Sequence, residues 1–362
     1  MKIGTFMMPN NPAHRSIRDG HLHNLENLVF LDQIGFDEAW IGEHYTTPRE
    51  PCPSPDLLIA QALDKTSNIT FATGAFLLPY HHPAELAARI CYLDHMAEGR
   101  LIVGVGAGGF PGDFQMFDVD AAAGENRDMM AESLEIMIKF WTSTEPFEYV
   151  GKYWTTRRPV DKAPTEWHMK PFQDPFPQIG MTALSPGSST LAIAGEKGFL
   201  PVSLGLSNSY LAEHWDTVST AADKAGRTAD NALWRIGRDV MIAETDAEAR
   251  RNALDGPIGE AYRNYLLPLF KGFGFLSVFK VDPDMADSDV TLEYLADNIW
   301  LVGSPETVTG KLGDMVDESG GFGCLLVNGY DYVDHKELWQ ASQKALISEV
   351  APKFSDEAAA AQ

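Results

Sequence analysis

Phe36-Asp37-Glu38-Ala39-Trp40-Ile41-Gly42-Glu43-His44-Tyr45 decides how the rest of this 362-residue chain is read. Its first half alternates and is rich in aromatic and β-branched residues, as a buried strand should be. A glycine then hands the chain to two titratable side chains and a tyrosine. In a parallel sheet that end of the strand is where barrels and open sheets bind ligands, so Glu43 and His44 are expected to project into a site. The plainer alternative is a strand end with an exposed glutamate and a packed histidine.

The same strand-then-helix unit recurs on both sides of this stretch. Residues 2–9 read as a strand, and 19–33 as a helix with Leu22, Leu25, Leu28, Val29 and Leu31 at helical spacing, stopped by Gly35. After four prolines between 48 and 55 a helix starts at Asp56. Residues 69–78 form a third strand, which ends in Pro79-Tyr80-His81-His82-Pro83 before a helix over 84–96. A fourth strand, 101–105, runs into Gly106-Ala107-Gly108-Gly109. That glycine run follows a fourth strand and lacks the acidic residue at the right distance, so it reads as a tight rim loop rather than a dinucleotide fingerprint.

A helix follows over 126–141, with Met129, Met130, Leu134, Met137 and Ile138 on one side. Residues 142–177, rich in proline, are expected to be an irregular excursion over a rim. Further strands are expected at 177–182, 200–204 and 233–243. Residues 250–297, helical and aromatic, then acidic, suggest a lid or a dimer contact. A short strand begins at Ile299, a helix covers 307–318, residues 324–327 complete an eighth strand, and 353–362 read as a frayed tail. This alternation predicts an α/β fold, a single-domain (β/α)8 TIM barrel with insertions at its C-terminal rim.

Composition narrows the function classes. Hydrophobic residues make up 44% and charged ones 22%, as in globular proteins. No run of about 18 apolar residues occurs, so no membrane span is expected. The N-terminus lacks the pattern of a signal peptide, and a cytoplasmic location is expected. Three distant cysteines argue against a disulfide framework or a zinc cluster, and no metal is expected. A net charge of −23 disfavours nucleic acid and anionic membranes. Any bound phosphate must then rely on backbone N–H groups and hydroxyls.

Several segments together resemble the bacterial luciferase-like flavin-dependent monooxygenases. These are Gly42-Glu43-His44, Leu77-Leu78-Pro79-Tyr80-His81-His82-Pro83, the run from Glu98 to Gly106, and Leu301-Val302-Gly303-Ser304-Pro305-Glu306-Thr307-Val308. Ala194-Gly195-Glu196-Lys197, Asp255-Gly256-Pro257-Ile258-Gly259 and Val350-Ala351-Pro352-Lys353 look most like the diketocamphane monooxygenases, two-component type II Baeyer–Villiger enzymes.

The resemblance implies FMN at the C-terminal barrel mouth, delivered reduced by a separate flavin reductase, with O2 as co-substrate. Gly74-Ala75 occupies the place of the family's non-proline cis peptide behind the flavin; relief of packing is the alternative reading of Gly74. Where luciferase itself carries a cysteine and an arginine, this chain has Gly106 and Ala107, so the phosphate must be held differently. Ser185, Ser188, Ser189 and Thr190, just before a helix, are the candidates, with ordinary N-capping as the alternative.

The implied reaction is oxygenation of a small cyclic or terpenoid ketone through a peroxyflavin. His44 is the expected polar group beside it, because an imidazole with a pKa of about 6.5 can give or take a proton at neutral pH. Glu43 is expected to hold or polarise His44. Phe6, Met8, His82, Phe110, Trp300 and Tyr330 are expected to line an apolar substrate pocket. A homodimer is expected by analogy alone. Two alternatives share the barrel: a deazaflavin-dependent oxidoreductase and a noncatalytic flavin-binding subunit.

Overall fold

A computed structural model describes residues 1–184, 187–205 and 207–354. Thirteen strands are described among these residues: β1 (Lys2–Met7), β2 (Glu38–Ile41), β3 (Thr70–Thr73), β4 (Phe76–Leu77), β5 (Leu101–Gly106), β6 (Phe147–Val150), β7 (Thr155–Arg158), β8 (Ile179–Ala183), β9 (Leu200–Leu204), β10 (Arg235–Arg238), β11 (Val240–Ile242), β12 (Leu301–Gly303) and β13 (Cys324–Gly329). Parallel pairing runs β3-β2-β1-β13-β10-β9-β8-β5, and β5 pairs back to β3 and β4. The sheet therefore closes into a (β/α)8 barrel of eight staves, the third of which is β3 and β4 interrupted at a cis Gly74–Ala75 peptide.

Closure follows from burial on both faces. Along β2, Ala39 and Ile41 face the helical layer and join the large outer core, while Trp40 faces inward with Phe6, Ala72, Ile102, Val202 and Leu326. Trp40 is fully buried. Its indole occupies space that neighbouring strands leave by carrying glycine: a Cβ on Gly180 would lie 2.5 Å from the ring, and one on Gly104 would lie 3.1 Å from it and 1.8 Å from the Thr73 carbonyl. The glycines of β5 are thus packing room inside the barrel.

Below Trp40, Glu38 also points inward. It accepts from Arg235 on β10 at 2.7 and 3.3 Å and from the Trp40 indole N–H at 3.0 Å, with the Lys2 ammonium 3.5 Å away. Burial alone would push this carboxyl up; Arg235 and its other donors outweigh that and hold it below the usual carboxylate range.

Four expectations change. β2 ends at Ile41, so Glu43 and His44 lie in the loop beyond it and are free of strand alternation. The strand expected over 233–243 breaks at Asp239: β10 stays in the barrel, whereas β11 leaves it and pairs in parallel with β12. The turn is fixed by Asp239, buried and accepting from Tyr262 at 2.9 Å and from Tyr330. The excursion over 142–177 contains an antiparallel hairpin, β6–β7, whose Phe147 stacks on Phe140 of the helix Glu125–Thr142. At the C-terminus, Lys353 and Phe354 still belong to a short helical turn, and the Phe354 carbonyl accepts from the Met1 ammonium at 2.6 Å; residues 355–362 lie outside those described.

Among the described residues, no helix is long and apolar enough to cross a membrane. Glu38→Gln should leave the buried Arg235 without the opposite charge of Glu38, at a cost of about 3–5 kcal/mol. Urea unfolding checks this, and an apolar replacement of both residues should cost less than the single change.

Candidate active site

At the C-terminal end of β2 the loop from Gly42 to Ser54 carries Glu43, His44 and Glu50, whose side chains diverge. Glu43, buried, accepts from Tyr45 Oη at 2.6 Å and from the Leu77 backbone N–H at 3.2 Å, and lies 2.8 Å from His81 Nε2. His81 in turn meets Arg89 through its other nitrogen at 3.2 Å. Glu43 therefore makes no hydrogen bond to His44, acting on it only through its charge; its hydrogen-bonded partner is His81. The one-turn helix Leu78–Tyr80 aims His81 at it, because the His81 N–H closes that turn on the Leu78 carbonyl.

His44 is held by carboxylates from two other places. Its Nδ1 lies 3.2 Å from Asp113 Oδ2, and its Nε2 lies 3.4 Å from Glu50 Oε2. Asp113 is itself fully buried and fixed by the Thr46 N–H at 2.8 Å. Burial disfavours a charged imidazole here, but the hydrogen bond to Asp113 and the charges of Glu50, Asp113 and Glu43 outweigh it, so the His44 pKa is raised. Asp113 is correspondingly lowered: burial works against its charge, and the His44 and Thr46 donors prevail. Only Nδ1 makes a hydrogen bond of normal length, which leaves the Nε2–H as the exchangeable donor.

Beside this cluster lies a floor of small residues. A Cβ on Gly106 would sit 3.5 Å from that of Ala75, 3.4 Å from Leu77 and 3.7 Å from Thr182 Oγ1. Ala75, Gly106 and Thr182 thus meet across three adjacent staves, level with the cis Gly74–Ala75 peptide. Phe6 lies beneath Gly74, 2.9 Å from where its Cβ would be, and Met8 covers Gly42.

Next along the mouth, the helix Ser189–Lys197 begins with Ser188 at its N-cap. The Ser188 hydroxyl makes no capping hydrogen bond, and no acidic residue occupies the first turn. Ser188 and Thr190 are buried and Ser189 is exposed; Ser185 lies outside the described residues. Free first-turn N–H groups beside uncommitted hydroxyls suit an anion.

The expected pocket residues divide. Phe110 reaches the site, with its ring edge-on to His44 at 5.1 Å. His82 instead is exposed at the N-cap of the helix Pro83–Ala97. Trp300 is fully buried in the outer core and packs on Tyr262 at 4.9 Å, because β12 lies outside the barrel. Tyr330 gives its hydroxyl to Asp239 and also lines the small cleft at the mouth.

Cavity volume does not mark this place. A cavity of about 140 Å³ lies at the opposite end of the barrel, near Phe199, Pro201 and Leu233. At the mouth, the cleft between the inserted helices and the loops after β1 and β2 holds only about 40 Å³. Asp113, Glu50 and Tyr265 were absent from the sequence-based candidates. Pro111-Gly112-Asp113 did carry a helix-start signature, but nothing local tied it to His44 across 69 residues.

Comparison with known proteins shows the family and the fold. The chain is 37% identical over 98% of both lengths to 3,6-diketocamphane 1,6-monooxygenase of Pseudomonas putida, and 36% identical to 2,5-diketocamphane 1,2-monooxygenase 1 of the same organism over 98% of this chain and 99% of that one. A solved structure of the oxygenating constituent of 3,6-diketocamphane monooxygenase from Pseudomonas putida, in complex with FMN, superimposes with a TM-score of 0.92 at 38% identity, covering 98% of each chain. The luciferase-like monooxygenase family matches residues 1–321, and the chain belongs to that family.

Proposed function

We propose that the protein is the oxygenating component of a two-component, FMN-dependent monooxygenase that carries out Baeyer–Villiger oxygenation of a cyclic or terpenoid ketone. The observation that carries this reading is the small-residue floor of Ala75, Gly106 and Thr182 beside a histidine whose hold on its proton Asp113 strengthens. Kinship with enzymes of camphane ketones supports the substrate class. FMN would be supplied reduced by a separate reductase, and a homodimer is the assembly proposed by analogy.

The residues present fit the cofactor. Ala75, Gly106 and Thr182 offer a face flat enough for a tricyclic ring, and Ser188, Thr190 and the Ser189 N–H would hold the phosphate at the helix start. When bound, reduced FMN supplies the electrons that activate O2.

The chain's own tasks are binding, orientation and proton control. Phe6, Met8 and Phe110 present apolar surface to the ligand side of the mouth and keep water out. His44, anchored through Nδ1 on Asp113, would offer its Nε2–H, held only loosely by Glu50 at 3.4 Å, to an oxygen that gains negative charge. Glu43 is a positioning residue: it fixes His81, Tyr45 and the Leu77 amide at the end of the interrupted stave.

Removing the donor should affect turnover more than binding. His44→Ala should lower ketone oxygenation by about 100-fold or more while changing the FMN dissociation constant little; equal product yield from the variant would remove His44 from the mechanism. A hydroxyl bonded to an anion contributes roughly 1.5–3 kcal/mol. Ser188→Ala with Thr190→Val should therefore weaken FMN binding, read by flavin fluorescence quenching, at least about tenfold. Unchanged affinity would place the phosphate elsewhere.

A further inference from the structure

Two chains of contact run from the inserted segment to His44. Tyr265, in the helical turn Tyr262–Leu266, has its phenol oxygen 3.1 Å from Thr47 Oγ1, and the Thr47 carbonyl accepts from the Glu50 N–H at 3.3 Å. Glu50 then faces His44 Nε2 at 3.4 Å. Farther along the insertion, Phe273 packs edge-on to Phe110 at 5.8 Å, and Phe110 packs edge-on to His44 at 5.1 Å. The ring of His44 is thus touched on its Glu50 and Phe110 sides by groups that the insertion itself holds.

We propose that Glu50 is a positioning residue that keeps the proton on His44, and that Tyr265 couples this hold to the seating of the inserted segment over the barrel mouth. The proposal rests on the reading of His44 as the site's proton donor.

The physical basis is the instability of a buried carboxylate without partners. Glu50 is only 5% exposed. Burial pushes its carboxyl up, and only the charge of His44 and the hydrogen bond from Tyr265 oppose this, while Asp113 adds repulsion. If the segment lifts, Tyr265 goes with it, and Glu50 takes up a proton. His44 then faces the charges of Asp113 and, farther off, Glu43, but not that of Glu50. Its imidazolium holds the proton less firmly. The other charge near Tyr265 is Arg49, which acts on the phenol. Seating the segment therefore favours the charge on Glu50 and, with it, the proton on His44; lifting it works against both.

The test is a histidine NMR titration of the full chain, ¹⁵N-labelled, with the His44 signal among the ten histidines assigned from a His44→Gln spectrum. Glu50→Gln should lower the proton affinity of His44 by about tenfold. Tyr265→Phe should lower it by less, and should add nothing further in the Glu50→Gln background. A His44 midpoint unmoved by Glu50→Gln, or a Tyr265→Phe effect that persists undiminished in that background, would overturn the proposal. If Glu50→Gln fails to fold, Tyr265→Phe decides alone, since Tyr265 is only partly buried; an unmoved midpoint overturns the coupling. Because the titration needs neither FMN nor ketone, a protein that shows the shifts but oxygenates nothing would sink the proposed function and leave the coupling standing. A protein that oxygenates ketones with an unmoved midpoint would do the reverse.

Discussion

Trp40 fills the barrel interior, and the strands around it are built to admit it. Gly104 and Gly180 cannot carry a side chain, since a Cβ on the first would strike the Thr73 carbonyl and one on the second the indole itself. The Trp40 N–H is tied to Glu38, which is tied across the barrel to Arg235. One aromatic ring and one buried ion pair thus connect β2 to β5, β8 and β10. The close approach they permit places the ends of those strands, and the small residues on them, around one mouth. A buried ion pair is weak evidence of net stability. Its value here is that Glu38 and Arg235 satisfy one another only when the staves are in register.

Above this plug the chain concentrates carboxylates in a place where none is exposed. Glu43, Glu50 and Asp113 are all buried, and each is held by donors from a different segment. Such an arrangement is costly unless each charge is matched. The matching groups are the two histidines of the site, His81 for Glu43 and His44 for Asp113 and Glu50. In a chain of net charge −23, the loops around this mouth set each of these carboxylates against a histidine ring. The first turn after Ser188, proposed above as the phosphate site, carries no acid.

Much of the fold was legible because parallel strands buried on both faces read as short apolar runs between amphipathic helices. The break at Asp239 was not. Residues 233–243 form one unbroken strand pattern, and what divides it is a pair of hydrogen bonds from Tyr262 and Tyr330, 23 and 91 residues away. The hairpin over Phe147–Arg158 was masked by the prolines around it. Of the site, the Gly42-Glu43-His44 turn stood out in the sequence, as did Gly74-Ala75 and the hydroxyls at 188–190. Their partners did not. Which of two adjacent histidines meets Glu43 is settled by a single helical turn at Leu78–Tyr80, and the residues that hold His44 come from loops that only the closed barrel brings together.

The account rests on transfer of one oxygen atom from O2 to a ketone, with electrons from reduced FMN. Its most direct test is mass spectrometry of a bicyclic and terpenoid ketone panel incubated with the purified protein, a flavin reductase, FMN and ¹⁸O2. The account predicts a lactone or ester that gains one labelled oxygen atom, formed only when FMN is kept reduced. Formation of peroxide alone from every ketone, or turnover as hydride transfer with a reduced deazaflavin and no incorporated label, would contradict it.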